Sequence, residues 1–243
     1  MRDLFSEGSE YYAAFRPGYP PSLAEHVLEY TKERKTAWDC ATGNGQAAIL
    51  FSPYFEKVIA TDLSEKQISN AIKAENIHYR IAIAEDSGIE ENSIDLVMVA
   101  QAYHWFDPIK FEMEVRRVCK PGAIIAVWGY SLFQTEDETL NQAIETFYSV
   151  TTGPYWDPER KMLEEKYQHI SFPYEELTPY ESQKIVNWTS AKLEGYLNSW
   201  SAVKHYKDSN GTNPVPAFID SIRDLLPEEF QVMFPLFMRL GRV

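Results

Sequence analysis

Apolar runs alternate with amphipathic segments along the chain between residues 36 and 130. Five runs have the length and composition of strands and are bounded by turn or polar residues: TAWDC, KVIATD, HYRIAI, IDLVMVA and AIIAVWGY. Segments that fit amphipathic helices lie between them, among them SEKQISNAIKAE and DPIKFEMEVRRVC. Because strand–helix alternation is typical of parallel sheets, this region predicts an α/β fold with a mostly parallel sheet and helices on both faces.

Start signals support both helices. Ser64 followed by Gln67 fits a capping box, in which each residue satisfies a free backbone N–H at the start of the helix. Asp107 followed by Pro108 fits an N-cap with proline at the first helical position. The sequence therefore predicts where both helices begin.

The remaining segments predict an arm, a cap and one more strand. A Pro- and Tyr-rich arm leads into a helix predicted over 21–33. After residue 130 the alternation ends: 136–152 is predicted as helical, SAKLEGYLNSWSAVKHY as one helix with an apolar face, and FQVMFPLFMRL as a strand that returns to the sheet. We therefore expect three regions: the arm and first helix (1–34), the α/β core (35–135) and a C-terminal region that completes the sheet (136–243).

Composition narrows the possible partners. The chain has 243 residues, of which 44% are hydrophobic, and a net charge of −13 without any block of Lys and Arg. Nucleic-acid binders neutralise phosphates with basic surface, so DNA, RNA and anionic membranes are disfavoured as partners. The polar start, two distant cysteines and the lack of a long apolar run predict a reduced cytoplasmic protein without a zinc site.

A glycine-rich loop follows the first strand. Gly43 and Gly45 begin the pattern G-x-G-x-x-A, and Asp62 stands at the end of the second strand, about twenty residues further on. This is the dinucleotide-binding pattern, with Asp62 in the position that binds a ribose. It makes an NAD-dependent oxidoreductase one candidate.

Asp39 favours a different cofactor. It stands at the end of the first strand, directly before the loop, where its carboxylate would repel a pyrophosphate. The same carboxylate would attract the ammonium group of S-adenosylmethionine, which also carries a sulfonium and a ribose diol but no phosphate. Asp62 would accept hydrogen bonds from ribose hydroxyls with either cofactor.

The motifs together resemble those of class I S-adenosylmethionine-dependent methyltransferases, more narrowly the type 11 group that includes enzymes similar to trans-aconitate methyltransferase. The resemblance rests on AWDCATGNGQAA, VIATDLSEKQI, the segment from IAIAEDSGI to YHWFD, and KPGAIIAVWGY. It implies a Rossmann-like methyltransferase fold with a seven-stranded sheet, an N-terminal lid arm and a C-terminal helical cap. Two departures are Ala41, where the family usually has glycine, and Ile83, where an acidic residue would contact the adenine.

The resemblance also implies a set of residues that bind the cofactor. They come from the arm, the glycine loop and the ends of the first four strands: Tyr12, Arg16, Asp39, Ala41, Gly43, Gly45, Asp62, Leu63, Ala84, Glu85, Ala100 and Gln101.

Aromatic residues at the end of the fourth strand predict the methyl-transfer face, because ligands of such sheets bind beyond the carboxyl ends of the strands. Tyr103, His104 and Trp105 follow that strand. His104 is the candidate general base or hydrogen-bond donor, and all three are candidates for the substrate site together with Trp200. The alternative for these side chains is a packing role in the core.

The sequence therefore predicts methyl transfer from S-adenosylmethionine to a small organic molecule, a carboxylic acid being one candidate. Arg16 could pair with a carboxylate of either the cofactor or the substrate. Partners other than this small molecule, nucleic acid and membrane included, are not expected. Two alternatives stay open: the NAD-dependent oxidoreductase, and a methyltransferase-like protein that binds without turnover. The sequence decides neither the methyl acceptor nor the oligomeric state.

Overall fold

The computed structural model of the protein describes residues 15–243. Its helices are α1 Pro21–Tyr30, α2 Gln46–Phe51, α3 Glu65–Ser69, α4 Pro108–Val118, α5 Glu138–Thr146, α6 Arg160–Glu164, α7 Ser190–Asn198, α8 Ser201–Asn210 and α9 Pro214–Ser221. Its strands are β1 Thr36–Cys40, β2 Lys57–Asp62, β3 Ile77–Ile81, β4 Ile94–Ala100, β5 Cys119–Tyr130, β6 Gln134–Thr135, β7 Glu175–Glu176, β8 Tyr180–Trp188 and β9 Phe230–Arg242.

All nine strands of the described region form one sheet in the order β3-β2-β1-β4-β5-β9-β6, and β7 and β8 also pair with β9. The first five strands are parallel, which confirms the predicted parallel core, and β9 is antiparallel to β5. Since parallel strands share a direction, the chain leaves β1, β2, β4 and β5 at the same edge of the sheet. The candidate functional residues follow these strand ends.

Helices cover both faces of the parallel sheet, as predicted. On one face Phe111 and Val115 of α4 pack in a cluster with Trp38 of β1. On the other face Leu23 of α1 and Phe51 of α2 pack in a second cluster. Burial on both faces explains why the central strands are continuous apolar runs instead of alternating ones.

Two predicted helices are shorter in the structure and a third is divided in two. α1 ends at Tyr30, where the Thr31 hydroxyl donates to the Val27 carbonyl and the backbone becomes extended. α3 keeps its predicted Ser64 cap but stops at Ser69. The predicted helix over 190–206 is two helices, because Trp200 is extended, and its buried ring belongs to the cluster under the C-terminal helices.

The C-terminal region adds antiparallel strands. The predicted last strand is confirmed as β9, which pairs with β5 from Leu236 to Arg242 and with β8 from Phe230 to Met238. The sequence pattern does not predict β8. Its residues alternate between half-buried and exposed and only Trp188 is buried, so the strand lacks an apolar run. No helix in residues 15–243 combines the length and apolar character that crossing a bilayer requires.

Candidate functional site

The loop between β1 and α2 contains three residues in the left-handed region, with φ +55° at Ala41, +55° at Gly43 and +85° at Gly45. Among described residues, a Cβ added at Gly43 would meet no atom within 4 Å, so a ligand can approach the backbone there. A Cβ at Gly45 would lie 2.1 Å from the Tyr79 hydroxyl. Tyr79 therefore closes over the start of α2, and the space above Gly43 stays open.

Asp39 lies beneath this loop and is fully buried. Its Oδ2 accepts hydrogen bonds from the Thr42 hydroxyl at 2.5 Å and from the Ala48 N–H at 2.9 Å. Its Oδ1 is buried and has no hydrogen-bond partner among the described residues. Burial raises the pKa of Asp39 to about 7 against the effect of both hydrogen bonds, and the nearby Asp62 charge adds to the rise. The site therefore favours a cationic hydrogen-bond donor at Oδ1.

Asp62 ends β2 and Gln101 directly follows β4, the two strands on either side of β1. Asp62 accepts hydrogen bonds from the Gly43 N–H and the Ser64 N–H, both at 2.8 Å, so it fixes the glycine loop. Gln101 has φ +59°, and its N–H donates to the Trp128 carbonyl at 2.9 Å. Its side-chain Nε2 is a buried donor with no partner in the described part of the chain. The edge thus presents an unsatisfied acceptor and an unsatisfied donor, while its backbone holds strained conformations.

The other predicted cofactor residues lie near the same strand ends. Leu63 follows β2 and is half-buried, and Ala100 is the last residue of β4. Ala84 is buried in the segment after β3. The Glu85 carboxylate accepts a hydrogen bond from the Asp107 N–H at 2.9 Å, which joins this segment to the start of α4. The predicted Asp107 cap is confirmed, since its side chain accepts from two N–H groups of the first turn.

His104 lies on a single 3₁₀ turn, Tyr103–Trp105, that follows β4; we call it the rim turn. The ring is buried, and its Nδ1 lies 2.9 Å from the Tyr167 hydroxyl. Burial and, to a smaller extent, the positive charge of Arg160 together lower the pKa of His104 to about 3. The imidazole is therefore neutral at physiological pH and is a weak base.

The contacts of Tyr103 and Trp200 are those of core residues. Tyr103 is buried, and its hydroxyl donates to the Ser171 carbonyl at 2.8 Å. Trp200 is 2% exposed and packs against Trp156 and Tyr196 at centroid distances of 5.3 and 6.0 Å. These contacts favour the packing alternative for both side chains, and their predicted substrate role stays a prediction.

Arg16 packs against the C-terminal helices. Its Nη1 donates to the Tyr130 hydroxyl at 3.0 Å, at the end of β5, and its Nη2 donates to the Ser199 carbonyl at 3.4 Å. Its guanidinium also lies 5.1 Å from the centre of the Tyr196 ring. Tyr12, the other arm residue predicted to bind the cofactor, lies outside the described residues.

The structure adds Arg160, a residue that no sequence motif marks. The Arg160 guanidinium lies 3.9 Å above the Trp156 ring, and its Nε donates to the Tyr148 hydroxyl at 2.9 Å. The Glu164 carboxylate is 3.9 Å from Nε. Within the described residues, the two terminal nitrogens have no hydrogen-bond partner. Helix α6, which begins at Arg160, contacts the rim turn, and the charge of Arg160 contributes to the lowered pKa of His104.

Known proteins resemble this chain in sequence and in fold. A family model described as a methyltransferase domain matches residues 38–127. A relative from Dictyostelium discoideum, named as a methyltransferase, is 30% identical over 249 residues and is aligned over 99% of this chain and 95% of its own length. A solved structure from Anaeromyxobacter dehalogenans, described as a type II methyltransferase, is 35% identical with a TM-score of 0.86, covering 94% of this chain and 98% of that one.

This chain belongs to the S-adenosylmethionine-dependent methyltransferases. The assignment confirms the predicted family and cofactor and decides against the NAD-dependent oxidoreductase. A yeast relative named as an S-adenosylmethionine-dependent methyltransferase is 32% identical over 149 residues, covering 58% of this chain and 50% of that protein. The narrower likeness to trans-aconitate methyltransferase stays a prediction.

The residues of this methyltransferase fit S-adenosylmethionine. The cofactor has an ammonium and a sulfonium, and the edge offers two carboxylates, Asp39 and Asp62, with one buried oxygen of Asp39 unsatisfied. It also has a carboxylate, which suits the unsatisfied donor of Gln101. The open space above Gly43 allows a ligand to approach the loop.

Ala41 has a φ of +55°, in the left-handed region that favours glycine. This agrees with the glycine that the family usually has at this position. We expect Ala41→Gly to raise the free energy of unfolding by 0 to about 1 kcal/mol, because relief of left-handed strain slightly exceeds the entropy cost of glycine. Gly43→Ala is the matched control, since it makes the reverse change at the same φ of +55°. It should lower the free energy by about 1 kcal/mol. Urea unfolding measures both, and a loss above about 1 kcal/mol for Ala41→Gly would contradict the strain argument.

Proposed function

We propose that this methyltransferase moves the methyl group of S-adenosylmethionine to a carboxylate oxygen of a small organic acid. Arg160 is the observation that carries the proposal. Its terminal nitrogens have no partner within the described residues, and a guanidinium with two free N–H edges matches a carboxylate with two hydrogen bonds. Arg160 also lies near the rim turn, where acceptors of such sheets bind.

The aromatic residues around Arg160 support a small, partly apolar acceptor. The guanidinium lies over the rings of Trp156 and Tyr148. Trp200 packs against these two rings at centroid distances of 5.3 and 5.5 Å. Such rings exclude water and strengthen an ion pair formed beside them. Glu164 lies next to Arg160 and offsets part of its positive charge. The site should therefore prefer an acceptor with one carboxylate to an acceptor with several negative charges.

The protonation state of His104 supports a carboxylate nucleophile over a hydroxyl or an ammonium. A carboxylate has no proton to lose, whereas the other two nucleophiles need a base. With its pKa lowered to about 3, His104 is a poor base near neutral pH. The predicted base role is therefore replaced in this proposal by the other predicted role, that of a hydrogen-bond donor.

We further propose roles for the residues at the carboxyl edge. Asp39 would hold the cofactor ammonium, Asp62 the ribose hydroxyls, and Gln101 the cofactor carboxylate, while the loop backbone at Gly43 would lie against the methionine part. The bound cofactor supplies a methyl group that is already electrophilic because of the sulfonium charge. The protein then contributes alignment and water exclusion, which together can lower a barrier by about 7–11 kcal/mol.

The test begins with cofactor binding and continues with a screen of acceptors. Calorimetry with S-adenosylhomocysteine checks the cofactor site, and cofactor consumption is then measured over pairs of molecules that differ only in carboxylate against amide or alcohol. We expect turnover with acids and at least about tenfold less with their neutral partners. A preferred acceptor without a carboxylate would overturn the substrate class and leave the methyltransferase assignment intact.

Replacing Arg160 tests the residue itself. We expect Arg160→Gln to raise KM for the acid about 10–100-fold, because a hydrogen-bonded ion pair is lost, and to leave S-adenosylhomocysteine affinity unchanged. Arg160→Lys should recover only part of the loss, since lysine lacks the planar fork. Arg223→Gln is the control, because Arg223 is an exposed arginine that pairs with Asp220. An equal effect of Arg160→Gln on acids and on neutral molecules would contradict the proposal.

A further inference from the structure

Tyr167 stands out as a buried tyrosine in a strained backbone. It is fully buried, and both Lys166 and Tyr167 are in the left-handed region, with φ +53° and +59°. Residues with a Cβ pay free energy for this conformation, which persists only where the surroundings enforce it. Here the Tyr167 N–H donates to the Met162 carbonyl, and the Tyr167 carbonyl accepts from Arg239, both at 2.8 Å. The strained backbone points the ring into the core beside the rim turn.

The Tyr167 side chain contacts the imidazole of His104. The hydroxyl lies 2.9 Å from Nδ1, and the two rings are nearly parallel, at 27°, with centroids 5.9 Å apart. Tyr103 packs edge-on against Tyr167 at 5.8 Å, and Trp105 packs against His104 at 4.8 Å. The imidazole is therefore held between two aromatic rings, and Tyr103 supports one of them, that of Tyr167.

The other imidazole nitrogen, Nε2, differs from Nδ1 in its hydrogen bonding. It has no hydrogen-bond partner among the described residues, yet it is not one of the fully enclosed polar atoms. A neutral imidazole has one N–H donor and one acceptor nitrogen. Because an imidazole nitrogen is a better acceptor than a phenol oxygen, this contact favours donation from the Tyr167 hydroxyl to Nδ1. The ring proton then resides on Nε2, the nitrogen that a ligand can reach.

We propose that Tyr167 is a positioning residue that holds His104 in the Nε2–H tautomer, so that His104 donates a hydrogen bond to the methyl acceptor. This rests on the proposed function for the identity of that acceptor, a carboxylate. The donated bond goes to the oxygen that does not attack, and it orients the attacking oxygen toward the methyl group. Methyl transfer then breaks the sulfur–methyl bond and forms the oxygen–methyl bond without any proton leaving the acceptor.

The tautomer is tested by nitrogen NMR on the intact protein labelled with ¹⁵N-histidine. The chain has five histidines, and the His104 signals are assigned by their loss in His104→Gln. We expect His104 to show the Nε2–H pattern between pH 5 and 9, and Tyr167→Phe to shift it toward a mixture of both tautomers. An Nδ1–H pattern in the wild type, or an unchanged pattern in Tyr167→Phe, would overturn the proposal. This readout needs no acceptor, so its failure is distinct from failure of the proposed function.

Kinetics with the acceptor found in the screen give the second readout. His104→Gln places an amide N–H near the position of Nε2 and should keep kcat within about fivefold of the wild type, whereas His104→Asn, which mimics Nδ1, should lose about 100-fold. Tyr167→Phe should lower kcat about tenfold with little change in KM. In the His104→Gln background Tyr167→Phe should have no further effect, because glutamine has no tautomer to select. Additive losses in this double variant would indicate a purely structural role for Tyr167 and overturn the proposal.

Discussion

Replacing Asp39 with asparagine should weaken cofactor binding strongly and remove a pH-dependent loss of stability from the cofactor-free protein. Asp39→Asn removes the buried charge that would pair with the cofactor ammonium. Losing one partner of a buried ion pair costs about 3–4 kcal/mol, so S-adenosylhomocysteine affinity should fall about 100- to 1,000-fold at pH 8. Calorimetry measures this loss. An affinity within about fivefold of the wild type would contradict the role of Asp39.

The stability effect of the same variant depends on pH, with a sign set by the raised pKa. Asp39 titrates near 3.8 when unfolded and near 7 when folded without cofactor, so the folded state holds its proton more tightly. Wild-type stability is therefore favoured at low pH and falls as the pH rises from about 4 to 7. Between pH 5 and 8 the advantage of Asp39→Asn over the wild type should grow by about 2–3 kcal/mol.

Urea unfolding of the cofactor-free proteins at pH 5 and pH 8 measures that change. Any cost of burying the unpaired amide of asparagine is the same at both pH values, so it does not affect the difference. Cofactor affinity of the wild type should rise with pH through 7, because the binding site must lose the Asp39 proton, and the affinity of Asp39→Asn should not follow this rise. A stability difference that is constant with pH would show that Asp39 is already ionised in the free protein.

Adding a methyl group at Gly45 should destabilise the fold by about 2–4 kcal/mol, since two costs combine. The backbone has φ +85°, which disfavours any residue with a Cβ, and the new Cβ would lie 2.1 Å from the Tyr79 hydroxyl oxygen. The hydroxyl is held in place by a hydrogen bond to the Ile72 carbonyl at 2.6 Å. Gly45→Ala should also weaken cofactor binding, because the loop that Asp62 fixes must shift.

A double-mutant cycle separates the clash from the strain. Tyr79→Phe removes the oxygen, and the nearest remaining ring atom is 3.1 Å from the new Cβ, so most of the clash disappears while the strain remains. Tyr79→Phe alone should cost no more than about 1 kcal/mol, and in the Gly45→Ala background it should restore about 1–2 kcal/mol. Urea unfolding of the four proteins measures the coupling. Additive losses would show that the loop accommodates the methyl group elsewhere.

Local sequence signals were sufficient to predict much of the region that would bind the cofactor. Continuous apolar runs predict buried strands, and glycines and capping residues mark their ends, so the parallel core, the glycine loop and the Ser64 and Asp107 caps follow from residues close together in the chain. Asp39 and Asp62 were selected by their places at strand ends, and parallel strands bring such ends to one edge. Helix lengths were less predictable, because the Trp200 ring leaves its helix to fill the C-terminal cluster.

The proposed acceptor site around the rim turn depends on contacts between residues far apart in the chain, which no local sequence pattern predicts. His104 and Tyr167 are 63 positions apart, and Arg160 comes from a short helix with no distinguishing motif. Periodicity and strand-end chemistry were enough to predict the carboxyl edge of the sheet and to favour S-adenosylmethionine, and the resemblance of the motifs to a known family predicted the methyltransferase. The neutral state of His104 and the approach of α6 to the rim turn depend on tertiary packing, because residues distant in the chain bury the imidazole and place Tyr167 against it.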